Sequence, residues 1–203
     1  MKVVGVGCGP GLITEQAVAA ISGAVLVYGS KRAIALAAAY IPKGCEVREM
    51  TAFRPELQIP DDAIVLSTGD PQLAGLGYLG GEIIPGISSL QVAAARLKIP
   101  LEQVSVVVAH GKEHEGALAA VAEEVERGKI VFIVADPKFS LVSLDLALSG
   151  SGEGIAVALC EDLGYPGERI RIGTVSEPPV PASRLFSVMV GRISIPGTSH
   201  KSQ

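Results

Sequence analysis

The chain has 203 residues, 48% apolar and 19% charged with no Trp, a length that fits one large domain or two small ones, each burying a core of its own. A formal net charge of −4 and a pI near 5.4 exclude a general nucleic-acid binder held by a basic face. No disorder signature, signal-peptide pattern or apolar run of membrane-spanning length is present, and Cys8, Cys45 and Cys160 are too scattered for a disulfide framework or a zinc site, so a cytoplasmic protein is expected.

In chain order, apolar runs of strand length alternate with Ala-rich runs of helical period, the pattern of a largely parallel sheet covered by helices. Strands are predicted near 3–8, 24–28, 45–50, 63–67 and 82–84, and helices near 14–21, 31–40, 71–79 and 89–97, with Thr14, Ser30, Asp70 and Ser88 as N-caps. The run Leu97-Lys98-Ile99-Pro100 ends the last of these helices. A second series follows, with strands near 104–109, 129–134, 154–160, 169–175 and 186–192 and helices near 115–127 and 138–148. Its last three strands lack helical spacers, so this sheet is expected to be mixed. The reading is two α/β domains: 1–100 with a mostly parallel five-stranded sheet, 101–195 with a mixed sheet, and a polar tail at 196–203.

Three stretches fall at strand ends in the first half. The opening strand breaks into Gly5-Val6-Gly7-Cys8-Gly9-Pro10-Gly11, where glycines permit positive φ and close approach of a ligand to the main chain. A tight strand-to-helix turn explains the same letters. The dinucleotide fingerprint fails, because position 10 is Pro10 and the second strand, Ala24 to Gly29, ends without a carboxylate; no Lys follows as in a nucleoside triphosphate loop. Ser67-Thr68-Gly69-Asp70-Pro71 and Pro85-Gly86-Ile87-Ser88-Ser89 close the fourth and fifth strands, and each alone reads equally as a capping turn. Capping does not predict three such loops at C-terminal strand ends, which in an open parallel sheet converge on one crevice.

Together, Gly-x-Gly-x-Gly-Pro-Gly, Gly69-Asp70-Pro71 and Pro85-Gly86-Ile87-Ser88-Ser89 resemble the signature loops of the tetrapyrrole methylases, over about residues 1 to 192. The resemblance implies two α/β domains, S-adenosylmethionine as cofactor and a homodimer. Within that family the chain is similar to the precorrin C5-methyltransferases of cobalamin assembly. The carrying residues are Gly29-Ser30-Lys31-Arg32, the run Ser88 to Leu97, Ala109-His110-Gly111-Lys112, and above all the run Cys160 to Ile170 with its Leu163-Gly164-Tyr165-Pro166 centre. This implies methylation of carbon 5 of a cobalt-precorrin, with methylation and decarboxylation at carbon 15 left to a separate chain.

Carried over by position, Gly9, Pro10 and Gly11 would flank the cofactor. Thr68, Gly69, Asp70 and Leu73 would hold its methionine and ribose region, and Ser88 and Ser89 would cap it from below. From the second half, Val134, Leu163, Val190 and Gly191 would contact the adenine. The substrate would be a polycarboxylate, which an acidic protein must meet with a local cationic patch: Lys31, Arg32, His110 and Lys112 are the candidates, with Arg48, Arg54 and His114 beside them. For each, a solvated surface charge is the plainer reading. His110 and His114 have no third ligand nearby, so no metal site is read, and Glu123-Glu124 reads as the wet face of a helix.

No obligatory nucleophile is required, since a sulfonium methyl is already activated, and catalysis by positioning is expected. Some family members carry an Asp after the second strand as a proton acceptor; here that place is Gly29. The glycines Gly75, Gly77, Gly80 and Gly81 predict that the helix after Pro71 is short and frayed. Two other classes stay open: a superfamily methylase acting on a translation factor, as a diphthine synthase does, or on ribosomal RNA, which the acidic pI disfavours; and a nucleotide-binding module without catalysis.

Overall fold

The computed structural model describes residues 1–51, 58–109 and 114–193. Its internal contacts divide the chain into two compact units, Met1–Val92 and Ala93–Gln203, each built on its own five-stranded sheet.

In the first unit the strands β1 (Lys2–Gly5), β2 (Leu26–Gly29), β3 (Glu46–Glu49), β4 (Ile64–Ser67) and β5 (Glu82–Ile84) are all parallel and lie in the order β3-β2-β4-β1-β5. Successive side chains take opposite faces. Val4, Val27, Leu66 and Ile84 pack with Ala17 and Ile21 of helix α1 (Glu15–Ser22) and with Ala33 and Ala37 of α2 (Lys31–Ala37). Val3, Tyr28, Val65 and Ile83 face the other way, against Leu76 and Leu79. The exposed strand β3 closes one edge with Glu46, Arg48 and Glu49, charges that discourage pairing with another sheet.

The helix starts follow their caps. Thr14 Oγ1 accepts from the Ala17 amide at 3.1 Å and Ser30 Oγ from that of Ala33 at 3.2 Å. Ser88 opens α3 (Ser89–Leu97) with a capping box: its amide donates to Gln91 Oε1 at 2.7 Å, and its hydroxyl accepts from the Gln91 amide at 3.3 Å. The fourth expected cap differs. Where a helix was expected over 71–79, the chain makes a turn and a short 3-10 segment, Leu76–Leu79. Ala74 sits at φ +51°, and a Cβ at Gly75 would fall 2.8 Å from the Asp70 carbonyl oxygen, so the glycines fold this stretch too tightly for an α-helix.

In the second unit β6 (Val104–Ala109), β7 (Ile130–Ala135), β8 (Ala156–Glu161), β9 (Arg169–Thr174) and β10 (Phe186–Gly191) lie in the order β6-β7-β10-β8-β9. Only β6 and β7 pair in parallel, joined across α4 (His114–Glu126); the other three pairings are antiparallel, so the sheet is mixed, as the missing spacers predicted. Val121 and Val125 of α4 and Leu144 of α5 (Ser143–Ala147) cover Ile133, Val157, Leu159, Val188 and Val190. The helix expected over 138–148 is reduced to α5, because Asp136 turns the chain first, accepting from the Lys138 amide through Oδ1 at 2.7 Å and from that of Phe139 through its carbonyl at 3.0 Å.

One buried charge holds the far edge of this sheet. Glu161, with no exposed surface, accepts from Arg169 Nε at 3.0 Å, Arg171 Nη2 at 2.9 Å and the amides of Ala182 and Ser183, both at 2.7 Å. Burial would push its carboxyl up. The Ser183 and Ala182 amides and then the Arg171 and Arg169 guanidiniums outweigh that, and bring it from 4.5 to about 2. The linked stability is roughly 3 kcal/mol, fully present above pH 4.5 and lost as pH falls toward 2. Urea unfolding of the Glu161→Gln variant should therefore show a loss of about 3 kcal/mol at neutral pH, narrowing against the parent as both are taken to pH 3. A gap that stays constant down to pH 3 would mean that the ionised carboxylate is not what stabilises this edge.

Candidate functional site

The three glycine-bearing loops follow β4, β1 and β5, which are adjacent in the sheet, and so leave it side by side at the same end. They are then joined backbone to backbone. The Val6 amide donates to the Ser67 carbonyl at 2.9 Å, the Gly69 amide to the Gly7 carbonyl at 2.8 Å, and the Cys8 amide to the Ile87 carbonyl at 2.9 Å. Gly7 and Gly69 form an isolated antiparallel bridge beyond the parallel ladder. Side chains complete the junction: Asp70 accepts from the Gln72 amide through Oδ1 at 2.7 Å and from the Gly86 amide through Oδ2 at 3.0 Å, while buried Ser67 Oγ accepts from the Leu76 amide at 3.3 Å.

Close packing explains two of the glycines. A Cβ on Gly86 would lie 2.2 Å from the Gly69 carbonyl oxygen and 2.8 Å from the Gly5 carbonyl carbon, and one on Gly5 would lie 2.6 Å from the Gly86 nitrogen. These residues let the loops touch each other, where the sequence reading had a ligand approaching the main chain. Gly11 and Gly69 are different. Both have positive φ, and a Cβ on Gly11 would meet nothing within 4 Å, one on Gly69 only the Ser88 Cα at 3.8 Å. Bare main chain beside open space, as at exposed Gly11, is what a small ligand needs to approach the backbone closely, while buried Gly69 is in van der Waals contact with Ser88. The charged groups in the cluster are Asp70 and Arg32, which donates to Thr68.

The expected site residues are distributed as follows. Gly9, Gly69 and Ser88 are buried, Thr68, Asp70, Leu73 and Ser89 half-buried, and Pro10 and Gly11 exposed, all within this loop cluster or at its helix start. The Ser88 hydroxyl is committed to the α3 cap. Lys31 and Arg32 are exposed on the first turn of α2, and Arg32 Nη2 donates to Thr68 Oγ1 at 3.0 Å. Arg48 is turned to its neighbours, with Nε on Glu46 Oε1 at 2.7 Å and Nη1 on the Tyr28 hydroxyl at 2.8 Å. His110, Lys112 and Arg54 lie outside the described residues.

In the second unit Val134 is half-buried at the end of β7, Leu163 is buried in the β8–β9 connection, and Gly191 ends β10. Val190 is fully buried in the core, so its side chain is not available to a ligand. His114 Nε2 stands 3.2 Å from Asp136 Oδ2, and its ring meets Phe139 edge-on, so it faces a carboxylate already in place. Among the described residues no group of three or more His, Cys, Asp or Glu could hold a metal ion. Sequence reasoning missed the Gly5–Gly86 contact and the buried Glu161. The second had a usable signal, since Arg169 and Arg171 are two apart on a strand and therefore share a face.

The Tetrapyrrole (Corrin/Porphyrin) Methylases match residues 2–179, and the chain belongs to this family. It is 31% identical over 195 residues, 85% of this chain and 89% of the other, to the Methanocaldococcus jannaschii protein named "Probable cobalt-precorrin-7 C(5)-methyltransferase". Among solved structures it is similar to the cobalamin biosynthesis precorrin-6Y methylase from Archaeoglobus fulgidus, with 30% identity, a TM-score of 0.70 and coverage of 95% of this chain and 97% of that one. The uroporphyrin-III C-methyl transferase from Thermus thermophilus, solved with S-adenyl homocysteine, shares the fold at 19% identity, with a TM-score of 0.68 over 95% of this chain and 97% of that one.

If the backbone junction sets the loop positions, Gly86→Ala should lower stability by about 2–3 kcal/mol in urea unfolding. Gly23→Ala, where a Cβ meets nothing within 4 Å, should stay within about 0.5 kcal/mol of the parent. Equal effects at the two positions would show that the loops do not depend on this contact.

Proposed function

We propose that the protein is an S-adenosylmethionine-dependent C-methyltransferase of cobalamin assembly that methylates carbon 5 of a cobalt-precorrin, converting cobalt-precorrin-7 to cobalt-precorrin-8. The observation that carries this reading is the junction of three loops on the adjacent strands β4, β1 and β5, with open space beside Gly11. The 31% identity to the Methanocaldococcus jannaschii relative supports the choice of substrate.

S-adenosylmethionine supplies a methyl group already activated by its sulfonium. The chain's part is to bind and orient. Gly9, Pro10 and Gly11 flank the nucleoside, Thr68 offers a hydroxyl, Gly69 bare main chain, and Leu73 an apolar wall, with Asp70 and Ser88 keeping the loops in place and Ser89 beside them. Held geometry of this kind can account for roughly 7–11 kcal/mol of barrier lowering without a side-chain acid or base. Lys31 and Arg32, exposed beside the loops, meet the substrate carboxylates, with His110 and Lys112 as further candidates.

The proposal extends to a homodimer in the cytoplasm. Cys8, Cys45 and Cys160 form no disulfide with one another, which suits a reducing compartment. Among the described residues, no helix is long and apolar enough to cross a membrane.

Calorimetric titration with S-adenosylmethionine, S-adenosylhomocysteine and NAD should show binding of the first two at micromolar strength and none of NAD. Incubation with S-adenosylmethionine and cobalt-precorrin-7 should then add one methyl mass to the tetrapyrrole. Binding of NAD alone, or methyl appearing on RNA or protein, would overturn the assignment.

A further inference from the structure

Arg32 stands in an unusual place for a cation. It lies in the first turn of α2, beside Lys31 and with no acidic residue in that turn, where the positive end of the peptide dipoles disfavours a cation. A local rule broken on an exposed surface asks for a compensating use. The structure gives one partner: Arg32 Nη2 donates to Thr68 Oγ1 at 3.0 Å. The contact follows from the sheet order. Because β2 and β4 are neighbours, with Gly29 opposite Leu66, the residues just past their ends are brought together across one strand spacing.

Thr68 is tightly placed by what surrounds it. On one side Ser67 Oγ accepts from Leu76, and on the other Gly69 is bridged to Gly7. With its backbone so held, only χ1, which places Oγ1, and the hydroxyl rotor, which places the proton, remain to be set. Accepting from Arg32 occupies one lone pair and turns the hydroxyl proton away from the guanidinium, toward whatever acceptor the site receives. A guanidinium has five N–H donors in a fixed fork, and only one Nη2 bond is used on Thr68. The remaining donors of this exposed side chain suit a carboxylate in two-pronged fashion.

We infer that Arg32 is a positioning residue that bridges the two ligands, binding a carboxylate of the tetrapyrrole with its free donors while fixing the Thr68 hydroxyl for the methyl donor. Seating the carboxylate orders Arg32 and so prepares Thr68; seating the methyl donor on Thr68 fixes Arg32 and so prepares the carboxylate site. The two affinities are therefore coupled, and equally in both directions. This rests on the reading of the loop cluster as the S-adenosylmethionine site. It goes beyond that reading in making the two binding events interdependent through a single side chain.

The test uses the whole chain, S-adenosylhomocysteine as the stable nucleoside, and uroporphyrin III as a stable polycarboxylate tetrapyrrole probe, with calorimetry of each ligand alone and in the presence of the other. The parent should bind either ligand at least about fivefold tighter when the other is present. Arg32→Gln and Thr68→Val should reduce that factor to near one, and Thr68→Ser, which keeps the hydroxyl, should restore it. Circular dichroism melts of the same variants confirm that folded proteins are compared. Absence of coupling in the parent, or coupling that survives Arg32→Gln, would overturn the bridge while leaving the site assignment standing. Failure of S-adenosylhomocysteine to bind the parent at all would overturn the site assignment and the bridge together.

Discussion

The first unit depends on three loops being able to touch through their main chains. In a parallel sheet every connection must leave one end and return to the other, and three strand ends lying side by side would crowd one another if their loops carried side chains at the crossing point. Gly5 and Gly86 remove that conflict, with a Cβ on Gly86 only 2.2 Å from the Gly69 oxygen, and Gly69 supplies the positive φ of +69° that turns its loop. Once the loops are in contact, their amides find partners in one another: Val6 with Ser67, Gly69 with Gly7, Cys8 with Ile87. Asp70 then spans two of them with its two carboxylate oxygens. A loop cluster that satisfies its own backbone in this way can turn its remaining main chain toward a ligand without leaving buried polar groups unpaired.

Much of this was legible in the residue pattern, for identifiable reasons. The strands were visible because both faces of a covered parallel sheet are apolar, as in Val3-Val4 and Ile64-Val65-Leu66, and the helix starts because Thr14, Ser30 and Ser88 act locally within three residues of their partners. What was not legible is non-local. Nothing around Gly86 indicates that its neighbour in space is Gly5, eighty-one positions earlier. The role of Asp70 was half visible: its local bond to the Gln72 amide is the turn that Asp-Pro favours, though no helix follows it, but its second bond, to Gly86, crosses sixteen positions. The helix expected after Pro71 failed because four glycines there outweighed its apolar residues.

The second unit shows what the most family-specific letters are for. The run Cys160 to Ile170, which carried the resemblance to the C5-methyltransferases, is the β8–β9 connection. Glu161 anchors it by four donors from two guanidiniums and two amides, with Arg169 Nη2 a further ion-pair contact at 2.9 Å. Asp162 takes φ +50° and Gly164 φ +80°, and Glu168 Oε2 receives the Gly164 amide at 2.8 Å while its other oxygen takes Arg96. Most of these letters thus build a connection of fixed shape. The run that carries the resemblance is therefore scaffold of the second unit, while the glycine-bearing loops all lie in the first.

That division suits a reaction driven by alignment. An activated methyl group needs its acceptor held at short range and in line, and an ångström of slack costs far more than the absence of a general base. Backbone-to-backbone junctions give less slack than side-chain contacts, because they carry no rotamer freedom of their own. Rigid loops cannot by themselves report whether a second ligand has arrived. An exposed arginine with several rotatable bonds can, and Arg32 is tied by one hydrogen bond to Thr68, a residue of that rigid cluster. Close packing at Gly5 and Gly86 and exposure at Arg32 are complementary under the proposed function: the first would fix where the methyl group points, and the second would let the acceptor's charge be felt there.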